Sequence, residues 1–232
     1  MTVEVDLECY LRPTSFIDSD APSIKRYADE VAKGASTDEQ RVVRLFYAVR
    51  DGVRYDPYSI TNDPANYRAS RVLEQKRSYC IPKAVLLTAL ARAVGVPARL
   101  GFADVRNHLA SEKLLSLLGS ELFVFHGFTE FWLDQRWAKA TPAFNIELCE
   151  RFGVRPVEFD GRTDALFQEY SANGRRHMEY VAMRGCFADV PLEEIISAFK
   201  REYGDRFTWA GTEHEHDELF DATGAHYRAP CT

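Results

Sequence analysis

The sequence predicts an α+β protein, and three stretches carry that expectation. From Ile81 to Val94 only Lys83, Thr88 and Arg92 are polar, so a helix there is buried around most of its circumference. From Leu122 to Leu133 the chain holds Phe123, Val124, Phe125, Phe128, Phe131 and Trp132, strand formers over a length that crosses a sheet. Asp134-Gln135 then centres a turn into a second strand that ends at Thr141-Pro142, which makes an antiparallel pair.

The other elements follow in order. Val3, Val5 and Leu7 alternate with Glu4, Asp6 and Glu8, predicting a short edge strand over residues 3–11 that Pro13 interrupts. Asp20-Ala21-Pro22 opens a helix carrying Ile24, Tyr27, Ala28, Val31 and Ala32 at spacings of three and four, and Gly34 closes it. Thr37 with Gln40 three residues on is a capping box ahead of Val42, Leu45, Phe46 and Val49, and its helix runs to about Asp51-Gly52. Residues 61–79 are polar and turn-rich, with basic side chains at Arg68, Arg71, Lys76 and Arg77. Pro82 belongs in a first helical turn and Gly95 with Pro97 is a stop, so the apolar helix begins at or just after Cys80.

Ala98 to Val105 reads as a strand. Asn107 to Leu118 is an irregular or helical excursion whose Leu114, Leu115, Leu117 and Leu118 serve either as a lid over a cleft or as packed core. Residues 146–176 alternate short apolar pieces with turns, the clearest at Phe159–Asp164. Met178 to Met183 adds a strand. Pro191 to Tyr203 is a helix with Leu192, Ile195, Ile196, Phe199 and Tyr203 on one face and Asp189 as its N-terminal acid. The stretch Thr212–Glu218 alternates His with Glu, lacks a third or fourth zinc ligand at fixed spacing, and reads as a solvated terminus.

At 232 residues the chain has the size of a single domain. A formal net charge of -6 argues against a nucleic-acid partner, since phosphate-binding surfaces are basic. Acids near Met1 replace the cations of a leader, and no apolar run reaches membrane-spanning length, so a soluble, cytoplasmic protein with no membrane partner is expected. Cys9, Cys80, Cys149, Cys186 and Cys231 are scattered and odd in number, which suggests reduced thiols rather than a disulfide framework or a zinc knuckle. No cofactor or metal is expected.

Two residues stand out chemically. A thiol at a helix N-terminus meets the positive end of the macrodipole and unpaired amides, which lower its pKa and could hold an oxyanion, so Cys80 is a candidate nucleophile. Its plain alternative is a space-filling cysteine. Lys76 and Arg77 would favour a thiolate if they sit beside it. In the hairpin register set by Asp134-Gln135, Leu133 pairs with Arg136, Phe131 with Ala138 and Phe128 with Thr141. His126 shares a face with Phe128, so Thr141 becomes its diagonal neighbour.

Taken together, a cysteine opening a buried helix that runs into Gly95-Val96-Pro97-Ala98-Arg99, then His126 on a strand, then Trp137-x-x-x-Thr141-Pro142, resembles the transglutaminase-like superfamily of papain-type thiol enzymes. The lead-in Val49-Arg50-Asp51 and Val53–Tyr58 is similar as well. The resemblance covers roughly residues 40–145. It implies a helix packed on an antiparallel sheet in a single domain over 1–232, with its core at about 37–145 and a C-terminal extension over 146–232. It further implies Cys80 as nucleophile, His126 as base and Thr141 in the third place, where the family commonly has the Asp of an Asp-Pro. Thr141 carries no charge to stabilise an imidazolium, and Asp134 or Asp160 could substitute from elsewhere.

The activity implied is a cysteine-dependent hydrolase or acyltransferase, acting on a peptide or protein amide through a thioester. Hydrolysis is preferred because no Asp-x-Asp-x-Asp-Gly calcium loop is present. The alternative is a degenerate domain kept as a peptide-binding or scaffold module.

Overall fold

The computed structural model describes residues 6–108, 110–167 and 177–204, and the chain enters it through helices. Helix α1 (Pro22–Ala32) has Pro22 at its first position and buries Ile24 and Ala28. Helix α2 (Asp38–Gly52) is capped by Thr37, whose hydroxyl accepts from the Gln40 amide at 3.3 Å; the Gln40 carboxamide turns instead to the amide and hydroxyl of Ser36. The edge strand expected over 3–11 is corrected. Residues 8–10 form a 3-10 turn, with the Asp6 carboxylate accepting from the Glu8 amide, and residues 1–5 lie outside the described residues.

Strand β1 (Arg54–Tyr55) pairs in parallel with β2 (Arg77–Ser78), and between them lies helix α3 (Ala69–Gln75) where only turns were expected. The first turn of α3 is held by the buried Asp18, whose carboxylate accepts from the amide and hydroxyl of Ser70, 52 residues away. Such a cap leaves no local signature.

Helix α4 (Cys80–Ala93) is the centre, with twelve of its fourteen residues buried. It packs between α1, α2 and α3 on one side and, on the other, β3 (Ala98–Asn107) and β4 (Leu122–Leu133). Its buried polar side chains are all bonded. Lys83 donates to the carbonyls of Arg50 and Val53 at the end of α2, Thr88 meets Ala84 O and Thr129, and Arg92 reaches the carbonyls of Arg12, Ala98 and Ala188.

Helix α5 (Glu112–Leu118) is capped by Ser111 and closed by a left-handed Gly119. Strand β4 turns through Asp134 and Gln135, both at positive φ, into β5 (Arg136–Ala140), with Leu133 paired to Arg136 and Phe131 to Ala138 as expected. A short helix α6 (Ile146–Phe152), not foreseen, follows. Strand β6 (Met178–Phe187) completes a sheet of order β5-β4-β3-β6 in which all pairs are antiparallel. Helix α7 (Leu192–Tyr203) buries Ile195, Phe199 and Tyr203; Asp189 accepts from the Val190 amide, and the acids in the first turn are Glu193 and Glu194. Thr212–Glu218 and Cys231 lie outside the described residues. Among the described residues no helix is long and apolar enough to cross a membrane.

Candidate active site

Cys80 is the first residue of α4, with Tyr79 as its N-cap. Strand β4 passes directly over this helix start at Gly127, where a Cβ would stand 3.0 Å from Ile81 Cα, so only glycine allows the approach without a shift. The amides of Gly127, Ile81 and Cys80 face the sulfur and favour its thiolate, but burial outweighs them and pushes the thiol up to about 11. The expectation of a lowered pKa is therefore corrected: the helix start supplies donors to a half-buried sulfur, yet the apolar surroundings cost the thiolate more than those donors return. Arg77 and Lys76 do not supply the missing charge either. Arg77 Nε donates to Asp56 at 2.7 Å, and Lys76 is an exposed, left-handed C-cap of α3.

His126 is placed by a bulge. Ala103 pairs with His126 but Val105 with Phe123, so Val124 and Phe125 together oppose the single Asp104. Phe125 lies at φ +56°, a left-handed conformation rare for a bulky residue, and its amide donates to Asp104 Oδ1 at 3.1 Å. Arg184 from β6 donates to the same oxygen at 2.5 Å and lays its guanidinium 4.6 Å above the Phe125 ring. His126 follows this clamp immediately.

The His126 ring is buried, with Nε2 3.1 Å from Thr141 Oγ1. Thr141 is itself fixed, its amide donating to Ala165 O at 2.9 Å. Phe167 and Tyr180 stand 5.2 and 6.3 Å from the imidazole, and burial pulls its pKa down to about 3. Neither aspartate takes the place of Thr141. Asp134 is exposed in the hairpin turn, and Asp160 is exposed with its carboxylate accepting from the amides of Arg162 and Thr163.

Cys80 and His126 line one cavity of about 40 Å³. Its walls include Val105, Leu114, Leu118, Phe144, Met178 and Phe199, and among the described residues no lining side chain is charged. The leucines of α5 thus face the site, joining the two readings of that excursion. Residues beyond 146 contribute to the cavity as well, since Phe167, Met178, Phe199 and Tyr203 all border it. The Tyr203 hydroxyl also accepts from Val124 N and donates to Leu122 O, which ties α7 to the strand bearing His126. Apart from the apolar face of residues 191–203, nothing local in the sequence marked these partners.

The model of the family described as "Transglutaminase-like superfamily" matches residues 25–142. The chain belongs to the transglutaminase-like superfamily. Its likeness to solved structures is distant. A candidate cysteine protease from Cytophaga hutchinsonii is 18% identical, with 61% of this chain and 43% of that one covered at a TM-score of 0.46. The periplasmic domain of TgpA from Pseudomonas aeruginosa is also 18% identical, with 60% and 48% covered at 0.42. A candidate protease from Parabacteroides distasonis is 15% identical, with 57% and 24% covered at 0.36. The chain spans less than half the length of each. A search among curated proteins finds no match. This transglutaminase-like domain holds a neutral hydroxyl beside its histidine, and among its described residues no cluster of three or more His, Cys, Asp or Glu could hold a metal ion.

Proposed function

We propose that the protein is a cysteine-dependent enzyme of peptide or protein amide bonds, with Cys80 as nucleophile, His126 as base and Thr141 orienting the imidazole. The observation that carries this reading is that Cys80 and His126 border the same cavity while Thr141 engages Nε2 of His126.

In the tautomer whose Nε2–H donates to Thr141, which this reading assigns, Nδ1 is the basic nitrogen of the ring. Burial favours the uncharged form of both partners, so the resting pair is a thiol and a neutral imidazole rather than an ion pair. Attack on the carbonyl carbon is then coupled to transfer of the Sγ proton to Nδ1. The amides at the start of α4 and at Gly127, which already face the sulfur, lie where a developing oxyanion needs donors. The C–N bond breaks as the imidazolium returns the proton to the leaving amine, and the thioester passes to water, or to an amine if one reaches the site first. Hydrolysis is the preferred outcome. Such chemistry needs a reduced thiol; Cys9, Cys80, Cys149 and Cys186 are free, in keeping with a reducing compartment such as the cytoplasm.

A second reading has an observation of its own in its favour: the cavity is small, and among the described residues no carboxylate stands beside His126. On that reading the domain is a retired enzyme that binds peptides or scaffolds a partner. The test is to incubate the protein with a tryptic peptide library and a primary amine, and to compare wild type with Cys80→Ala and His126→Ala by mass spectrometry. New termini or amine adducts lost in both variants support the enzyme. Products unchanged in Cys80→Ala, or none with wild type, favour the binding module.

A further inference from the structure

The cavity at Cys80 is walled by side chains that say what it accepts. Val105 comes from β3, Leu114 and Leu118 from α5, Met178 from β6 and Phe199 from α7, so four separate elements each present an apolar surface to the same space. Among the described residues its polar lining is limited to Cys80, His126, Asn107 and tyrosines, with no carboxylate, ammonium or guanidinium. Two of those tyrosines are already committed: Tyr79 donates to the Tyr67 hydroxyl at 2.8 Å, and Tyr203 bonds the β4 backbone.

Each ionisable group in this neighbourhood is driven toward its uncharged form by burial, the Cys80 thiol upward and the His126 imidazole downward. A carboxylate entering the same space would lose its hydration with no cation to meet it, whereas an alkyl group would only gain. The size of the space sets the second limit. One water needs roughly 10–15 Å³ of such volume, so a cavity of about 40 Å³ takes about three heavy atoms beyond the carbonyl.

We propose that the residue whose carbonyl is attacked by Cys80 places a short, uncharged aliphatic side chain in this cavity, about the size of the carbon chain of a butyryl probe, and that Leu114 and Leu118 of α5 limit its length and exclude charge. This rests on the reading of Cys80 as a nucleophile and His126 as its base. With an activated ester as probe, the Sγ–C(acyl) bond forms and the ester C–O bond breaks. The thiol proton passes through His126 to the departing phenolate, and nothing is oxidised or reduced.

The experiment measures 4-nitrophenolate release from the full-length protein with the acetyl, butyryl, octanoyl and succinyl esters, each rate divided by that for a free small thiol and corrected with Cys80→Ala. Butyryl is expected to exceed succinyl by at least about tenfold and octanoyl by a similar factor. Leu118→Arg should reverse the order of butyryl and succinyl, and Leu114→Ala should raise octanoyl toward butyryl. Succinyl reacting as fast as butyryl in wild type overturns the proposed selectivity while leaving the nucleophile intact. No ester reacting faster than in Cys80→Ala removes the underlying reading of the site instead. The wild-type comparison decides even if Leu118→Arg fails to fold.

Discussion

Nε2 of His126 lies 3.1 Å from the hydroxyl of Thr141, and both side chains are buried. The bond orients the ring but adds no charge, and burial leaves the imidazole with a pKa near 3. A carboxylate in this place would stabilise the imidazolium and, through it, a Cys80 thiolate. Thr141→Asp is therefore expected to raise the rate of iodoacetamide alkylation at Cys80 near neutral pH by about tenfold or more, one unit of pKa being a tenfold change in thiolate at constant reactivity. Thr141→Val should lower ester reactivity and cost about 1–3 kcal/mol by leaving the buried Nε2 of His126 without its hydrogen-bond partner. Site-resolved mass spectrometry over a pH series checks the first, and urea unfolding the second.

Acid should destabilise the protein through its buried histidines. The folded pKa of His126 is lowered from 6.5 to about 3 and that of His177 to about 4, in both cases by burial. Between those values and about 6.5 the unfolded chain binds more protons, so stability falls as pH drops through 6.5 and the loss is complete only below the folded values. At pH 4.5 each histidine would remove on the order of 2 kcal/mol relative to pH 7. His126→Gln should flatten the pH dependence of the urea midpoint across this window; an unchanged slope would remove His126 from the account.

How much of this was legible depended on how far each cause lay along the chain. The buried helix after Cys80, the Asp134-Gln135 turn and the Thr141–His126 neighbourhood rest on local spacing and period-two register, and all of them were readable. The helix at Ala69–Gln75 was not, because its capping carboxylate is Asp18. The raised pKa of Cys80 was not either: the helix start is a local feature, but the enclosure that outweighs it comes from Leu114, Phe144, Phe199 and other residues distant in sequence. Nor does anything in Val124-Phe125 announce a bulge whose anchor, Asp104, sits on the neighbouring strand.

That bulge gives a third prediction. Asp104→Ala would leave the Phe125 amide without its acceptor and Arg184 without its carboxylate, at a cost of about 1–3 kcal/mol. Because His126 is the next residue, Cys80-dependent ester hydrolysis should fall further than the lost folded fraction explains. Asp104→Asn keeps an acceptor and should retain more of both. Equal activity per folded molecule in all three proteins would show that the clamp stabilises the sheet without aiming the histidine.

Gly127→Ala gives a fourth. The added methyl would sit 3.0 Å from Ile81 Cα, a backbone atom, so β4 and the start of α4 must part slightly. Stability should drop by about 1–3 kcal/mol, and reactivity at Cys80 by more than tenfold, since misplacing reacting groups by a fraction of an ångström is costly. Parallel denaturation and ester kinetics separate the two effects.

The most direct measurement is acid-quenched mass spectrometry of the protein after brief exposure to 4-nitrophenyl butyrate, with the modified residue located by peptide mapping. One butyryl group on Cys80 is expected, removable by hydroxylamine and strongly reduced in a folded His126→Phe variant. Butyryl groups spread over Cys9, Cys149 and Cys186 as readily as Cys80, or a Cys80 adduct formed at the same rate without His126, would contradict that expectation.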